Sequence, residues 1–308
     1  MSLLIAGSIA LDDLKTPFGE RKAVLGGSAI HSSISAAFYC PVKLLGTVGE
    51  DFPDEHIELL KSKNIDVSGL SVISGKTFHW EGFYEYDMNQ AHTIKTDLNV
   101  LPDFKCNLPE TYKDSEYVFL ANLDPTIQLK IISQIKSKSF IAADTMNYWI
   151  QNKRDELVEV IKKVDVLLMN DMEIRQFMNM PNLIAAARKI LKLGVKHVVI
   201  KKGEHGALLF SNDFIFSAPS YPQENLIDPT GAGDTFAGGF IGYLSKTNDV
   251  SEQNIRQAVV IGSVMASFNV ENFSLDRMKT LKFKEIFHRF TELKKCSGFE
   301  DLSRDLII

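Results

Sequence analysis

Cysteine is scarce in this chain. Cys40, Cys106 and Cys296 are odd in number and far apart. They fit neither a disulfide framework nor the short spacings of a zinc site, and they suit a reducing, cytoplasmic compartment. Long apolar runs are missing as well: no stretch reaches the roughly 18 unbroken apolar residues that a membrane span needs. The opening MSLLIAGSIALDD is apolar but has neither a basic n-region nor a cleavage site, so it does not read as a signal peptide. There is no excess of positive charge. The formal net charge is -5 and the lysines are scattered, which argues against a nucleic-acid or anionic-membrane partner. Internal repeats and low-complexity tracts are absent. So are the GxxxxGK[ST] and GxGxxG loops, and any phosphate binding here is therefore of another type.

What is present is length and alternation. A chain of 308 residues, 45% hydrophobic, can form one large domain or a large and a small one. Strand-like apolar runs fall at 3–9, 42–48, 117–121, 140–144, 164–170 and 197–201. Helical stretches fall at 28–39 and at about 126–138, 152–163, 171–178 and 182–193. This βα alternation predicts a parallel sheet with helices on both faces. Segments 207–211 and 214–217 read as a hairpin, 251–269 as a core helix, and the tail after Phe283 as a surface helix. Residues 14–25 are polar and read as irregular. Residues 71–100 break the pattern: TFHWEGFYEY at 77–86 reads as antiparallel strands, too short to hold a core of their own. A small sheet lying over the larger domain as a lid is the expected arrangement. An extra edge hairpin on the main sheet is the alternative.

The chain is organised around NLIDPTGAGDTFAGGFIGYL at 225–244. Gly231, Ala232 and Gly233 allow a tight turn into an apolar helix, and small residues before a helix leave its first N–H groups free to bind an anion. Asp234 sits at the mouth of that nest. A carboxylate repels phosphate, so it serves poorly as a phosphate ligand. It serves well as a base that takes a hydroxyl proton while the nest holds the phosphoryl group under attack. The plainer reading, an Asp cap on a Gly-rich turn, does not need the whole run.

DPTGAGDTFAGGF closely resembles the C-terminal signature of the ribokinase-like (PfkB) carbohydrate and nucleoside kinases. The resemblance implies a ribokinase-like three-layer α/β/α sandwich, one domain over 1–308 with a small β-sheet lid at about 12–25 and 71–100. It also implies roles for other positions. Gly26 and Gly27 resemble the N-terminal Gly-Gly motif, beside which the backbone meets substrate hydroxyls. Asp12 matches an acid that holds a diol. His31 stands where many members have Asn, and a structural histidine is the competing reading. Asn170 and Glu173 match an Asn-x-x-Glu that places Mg2+ largely through water, though an ordinary capping box reads the same way. Asp144 and Asn147 resemble a segment near the ATP phosphates. Lys201, Gly203 and Gly206 resemble the nucleotide-binding turn, where either Lys201 or Lys202 can pair a phosphate; solvated surface lysines are the alternative. Ser263 and Ala266 would wall the adenine site, with Phe268 read as core. Asp228 and Thr230 match a stretch that in several members coordinates a monovalent cation such as K+.

The implied reaction is phosphoryl transfer from MgATP to a primary hydroxyl, with Asp234 as base. The acceptor stays open between a ribonucleoside (adenosine-like) and a free furanose sugar such as ribose or fructose. Lid aromatics (Phe78, His79, Trp80, Phe83, Tyr84, Tyr86) and His31 tilt the reading toward the nucleoside. A catalytically silent, ligand-binding relative is the alternative of another class, and an apolar lid edge would support a homodimer.

Overall fold

Alternate residues of the first strand point into two different cores. In β1 (Leu3–Ala6), Leu3 and Ile5 pack into one apolar cluster while Leu4 and Ala6 pack into another, as expected of a central strand covered on both faces. The computed structural model describes residues 1–136 and 138–298. After β1 the chain enters a second, smaller sheet through β2 (Ala10–Thr16) and β3 (Gly19–Gly26). It returns by α1 (Ser28–Ala36) to β4 (Val42–Gly49), and α2 (Asp54–Ser62) leads to β5 (Ile65–Ile73). The small sheet is completed by β6 (Phe78–Tyr84) and β7 (Ala91–Asp97). Next come β8 (Tyr117–Leu120), α3 (Pro125–Ile132), β9 (Phe140–Ala143), α4 (Asn147–Asn152), α5 (Arg154–Ile161) and β10 (Val166–Asn170). They are followed by α6 (Asp171–Met178), α7 (Leu183–Leu191), β11 (His197–Lys201), β12 (Ala207–Phe210) and β13 (Ile215–Ala218). Four helices end the described chain: α8 (Ala232–Thr247), α9 (Glu252–Asn269), α10 (Asp276–Thr280) and α11 (Phe283–Cys296).

The large sheet has the order β13-β12-β11-β10-β9-β8-β1-β4-β5. It is parallel from β11 to β5, and the β12–β13 hairpin is antiparallel at one edge. Residues of α1, α8 and α9 cover one face, and residues of α3, α5, α6 and α7 cover the other. This is an α/β/α sandwich. Strand order reverses at β1, which has β4 on one side and β8 on the other. The crevice at the carboxyl ends of these strands is where such sheets bind ligands.

The small sheet has the order β3-β2-β6-β7 and shares no strand with the large one, so the edge-hairpin alternative is set aside. Three expectations need correction. Residues 14–25 are strand, not irregular: the outer part of β3 is exposed residue after residue, so no alternation marked it. Segment 77–86 is one strand, parallel to β2 and antiparallel to β7. Residues 71–73, at the start of the expected lid segment, belong to β5, a half-exposed edge strand of the large sheet that the sequence pattern hid. Among the described residues no helix is long and apolar enough to cross a membrane.

Candidate active site

Helix α8 begins without a side-chain cap. Its N-cap residue, Gly231, is left-handed at φ 72, and an added Cβ would overlap the His31 ring. Glycine thus meets both a backbone and a space requirement. The N–H of Ala232 donates to the Pro229 carbonyl at 3.1 Å. Among the described residues, the N–H groups of Gly233 and Asp234 find no acceptor in the protein, so this helix start can receive an anion. Of the expected trio, Ala232 is turned into the chain.

One amide side chain fastens this turn to two helices. Asn269 Nδ2 donates to the Thr230 carbonyl at 2.7 Å. Its Oδ1 accepts from Thr235 Oγ1 at 2.9 Å and meets His31 Nδ1 at 3.1 Å. An amide oxygen only accepts, so this network assigns the imidazole proton to Nδ1. Burial pushes His31 down to about 4, and the ring is neutral. His31 was matched to the substrate site; the structure places it beneath the turn, 2% exposed. Thr235 lies within the 225–244 stretch but was given no role of its own, and no motif singled out Asn269. The available signal was a polar residue ending an otherwise apolar helical run.

Lys201, at the carboxyl end of β11, reaches back to the same turn. Its Nζ lies 2.7 Å from Asp144 Oδ2 and would sit 3.1 Å from a Cβ on Gly233. The other Asp144 oxygen accepts the Thr145 N–H at 2.8 Å. The Asp144 carbonyl is held by Gln128 Nε2 at 3.1 Å, which also donates to the carbonyls of Leu120 and Ala121. Glu173 and Asp234 share this field. Burial and then the Asp144 charge push Glu173 up to about 8 and Asp234 up to about 7, each against the pull of Lys201. Burial alone would lower the Lys201 ammonium, but Asp144, Glu173 and Asp234 together hold it above its ordinary value. Three carboxylates thus face one ammonium, and an oxygen-seeking divalent cation fits that imbalance. Asn170 and Glu173 also form the reciprocal cap of α6: Asn170 Oδ1 accepts the Glu173 N–H at 2.8 Å, and Glu173 Oε2 accepts the Asn170 N–H at 2.7 Å. Asn147, at the start of α4, accepts the Tyr148 N–H.

The lid closes the other side. Asp12 is 5% exposed, and its Oδ1 has no hydrogen-bond partner among the described residues. An added Cβ on Gly26 would overlap its carboxylate, and Gly27 is the N-cap of α1 at φ 94. Burial, then the charges of Asp228 and Asp234, push Asp12 up to about 8. An orphaned buried acceptor calls for a donor, and a ligand hydroxyl supplies one. In the β2–β6 register Ala10 pairs with Phe78 and Asp12 with Trp80, so these residues share a face. The Trp80 indole occupies the space over Gly82 and donates from Nε1 to Thr93 Oγ1 at 3.1 Å. Tyr84 reaches down to Thr230, OH to Oγ1 3.4 Å. His79 faces the other way, toward Asp13 at 3.5 Å, as does Phe83, stacked on His92. Tyr86 is 91% exposed.

The remaining candidates frame this centre. Asp228 is buried, with Oδ1 accepting from the Thr230 N–H and Oδ2 from the Ser274 N–H, both at 2.9 Å. Gly203 and Gly206 bound the turn between β11 and β12, at φ 56 and 79. Ser263 bonds to the Val259 carbonyl along α9 and Ala266 is half-buried on the same helix. Phe268 is core, with the Arg289 guanidinium 3.5 Å from its ring centroid.

Residues 11–280 match the model of the pfkB family carbohydrate kinases. The chain is 31% identical over 257 residues to a cytidine kinase of Thermococcus kodakarensis, covering 82% of this chain and 91% of that protein. It is 27% identical over 271 residues to a ribokinase of Lactococcus lactis, covering 83% and 87%. In fold it resembles a Burkholderia thailandensis nucleoside kinase solved in complex with ADP-inosine. The TM-score is 0.79 at 18% identity, over 99% of each chain.

Proposed function

The chain belongs to the pfkB family of carbohydrate kinases, and from that premise we propose that its acceptor is a ribonucleoside. It is an ATP-dependent phosphotransferase acting on an alcohol group of a nucleoside or sugar. The observation that carries the narrower reading is the Trp80 indole. It lies over Gly82, anchored by Thr93, on the lid face that also carries Asp12. A flat aromatic surface two strands wide suits a nucleobase, while the orphaned Asp12 oxygen suits the ribose hydroxyls. The likeness to a cytidine kinase supports the same acceptor class.

In the proposed mechanism Asp234 takes the proton of the acceptor's primary hydroxyl. That oxygen forms a bond to the γ-phosphorus of ATP as the bond to the β-phosphate oxygen breaks and ADP leaves. The N–H of Gly233 and the Lys201 ammonium, which lies over it, stabilise charge on the transferring group. Mg2+, used with ATP by this family, would supply charge neutralisation on the phosphates, and Asn170 and Glu173 would hold it through water. Lys202, Gly203, Gly206, Ser263 and Ala266 are assigned to the nucleotide. Asp228 and Thr230 are assigned to a monovalent cation, which a K+ titration of turnover would reveal. A homodimer contact is assigned to the lid, where Phe18 and Ile94 are exposed, with sedimentation as its check. The sparse, unpaired cysteines support a cytoplasmic location.

The decisive assay is ADP release with MgATP over cytidine, adenosine, inosine, ribose and fructose. Nucleoside-dependent release is expected, with Trp80→Ala raising the nucleoside KM about tenfold or more, the scale of one base–aromatic stack. Sugar-dependent release without nucleoside activity would overturn the acceptor. No release with any acceptor would favour the silent relative.

A further inference from the structure

Tyr84, one of the lid aromatics, meets the catalytic turn, and the mechanism above gives its hydroxyl no work. Its hydroxyl lies 3.4 Å from Thr230 Oγ1, long for an O–H···O bond, whose usual length is about 2.7–2.8 Å. The residue is half-buried, and Asp12, Asp228 and Asp234 all act on its phenol electrostatically. A donor is therefore held by a long contact, on a lid strand that pairs with the one carrying Asp12, whose Oδ1 has no hydrogen-bond partner among the described residues. A ligand hydroxyl placed between them would satisfy both, accepting from Tyr84 and donating to Asp12. Strand β6 carries Tyr84, so that exchange would pull the lid against the turn only when the acceptor is present.

We propose that Tyr84 is an acceptor-binding residue of the lid: its hydroxyl leaves Thr230 for an acceptor hydroxyl shared with Asp12, and this exchange seals the site against water. The inference rests on the kinase reading above. Water is the competing acceptor of the phosphoryl group, so a loose seal shows as ADP formed without phosphorylated acceptor.

The test is steady-state kinetics of wild type, Tyr84→Phe and Tyr86→Phe with MgATP and each of cytidine, adenosine, inosine and ribose, measuring ADP and phosphorylated acceptor separately. Tyr84→Phe keeps the ring, and thermal melting checks its fold. Its acceptor KM should rise about tenfold, the scale of one hydrogen bond, with the ATP KM unchanged. Its ratio of ADP to phosphorylated acceptor should rise severalfold, while Tyr86→Phe matches wild type. A wild type active on an acceptor, with Tyr84→Phe equal to it in KM and coupling, would overturn this inference alone. A wild type that phosphorylates nothing would remove the kinase reading as well.

Discussion

A carboxyl held up to about 7 changes its charge in the range where an enzyme works. Asp234 has that value because burial and Asp144 outweigh Lys201. In its proposed role as base it must be ionised, so kcat/KM, which reports the free enzyme, should fall about tenfold per unit as pH drops below 7. The same limb in kcat reports this group in the ternary complex. Asp234→Asn should reduce kcat by about 10²–10⁴-fold while remaining folded and melting cooperatively, and it should flatten this limb. Normal turnover in that variant would rule out the base assignment. Asp234 was legible in the sequence because turn, acid and apolar helix are contiguous. Asn269, 39 residues beyond the Thr230 carbonyl it holds, was not, because its role exists only once α9 lies against the turn.

The start of α8 is the element that decides the site. Gly231 is left-handed and touches His31, and His31 is held by Asn269. Gly231→Ala adds strain of about 1–2 kcal/mol for the backbone and a clash with the ring. It should lower Tm by several degrees and cut kcat by an order of magnitude or more. Because the clash is with His31, the double variant with His31→Ala should lose less stability than the two single losses added together. Strict additivity would show that the imidazole does not set the position of the turn. The large sheet was legible from apolar runs such as 164–170, within which β10 lies. Strands β3 and β5 were not, since a strand with solvent on both sides, or one at a half-covered edge, has no period of two to read. The pairing of β2 with β6 is likewise a long-range fact. It alone decides that Trp80 faces Asp12 while His79 faces Asp13.

The molecule as a whole carries the electrostatic burden of its site. In the folded chain Asp12 and Glu173 lie at about 8 and Asp234 at about 7, against roughly 4 in an unfolded chain. Between pH 4 and 8 the folded state binds protons there that the unfolded state has released, so these groups make stability fall as pH rises. His31 acts in the opposite sense but elsewhere. Its folded value is about 4, below the unfolded value near 6.5, so its effect is confined to about pH 4–6.5. From pH 6.5 to 8 the carboxylates therefore act without it. The ligand-free protein should melt about 3–6 °C lower at pH 8 than at pH 6.5, and Asp234→Asn should raise Tm at pH 8 by removing one of the opposed charges. A bound acceptor brings hydroxyl donors to the unpartnered Asp12 oxygen, so MgATP with acceptor should shrink the difference between the two pH values. Calorimetric scans of both proteins at the two pH values, with and without ligands, measure all three effects. A ligand-free Tm that is level or rising over this range would mean that the carboxylates are already compensated within the fold. The excess negative charge would then not be what recruits the cation.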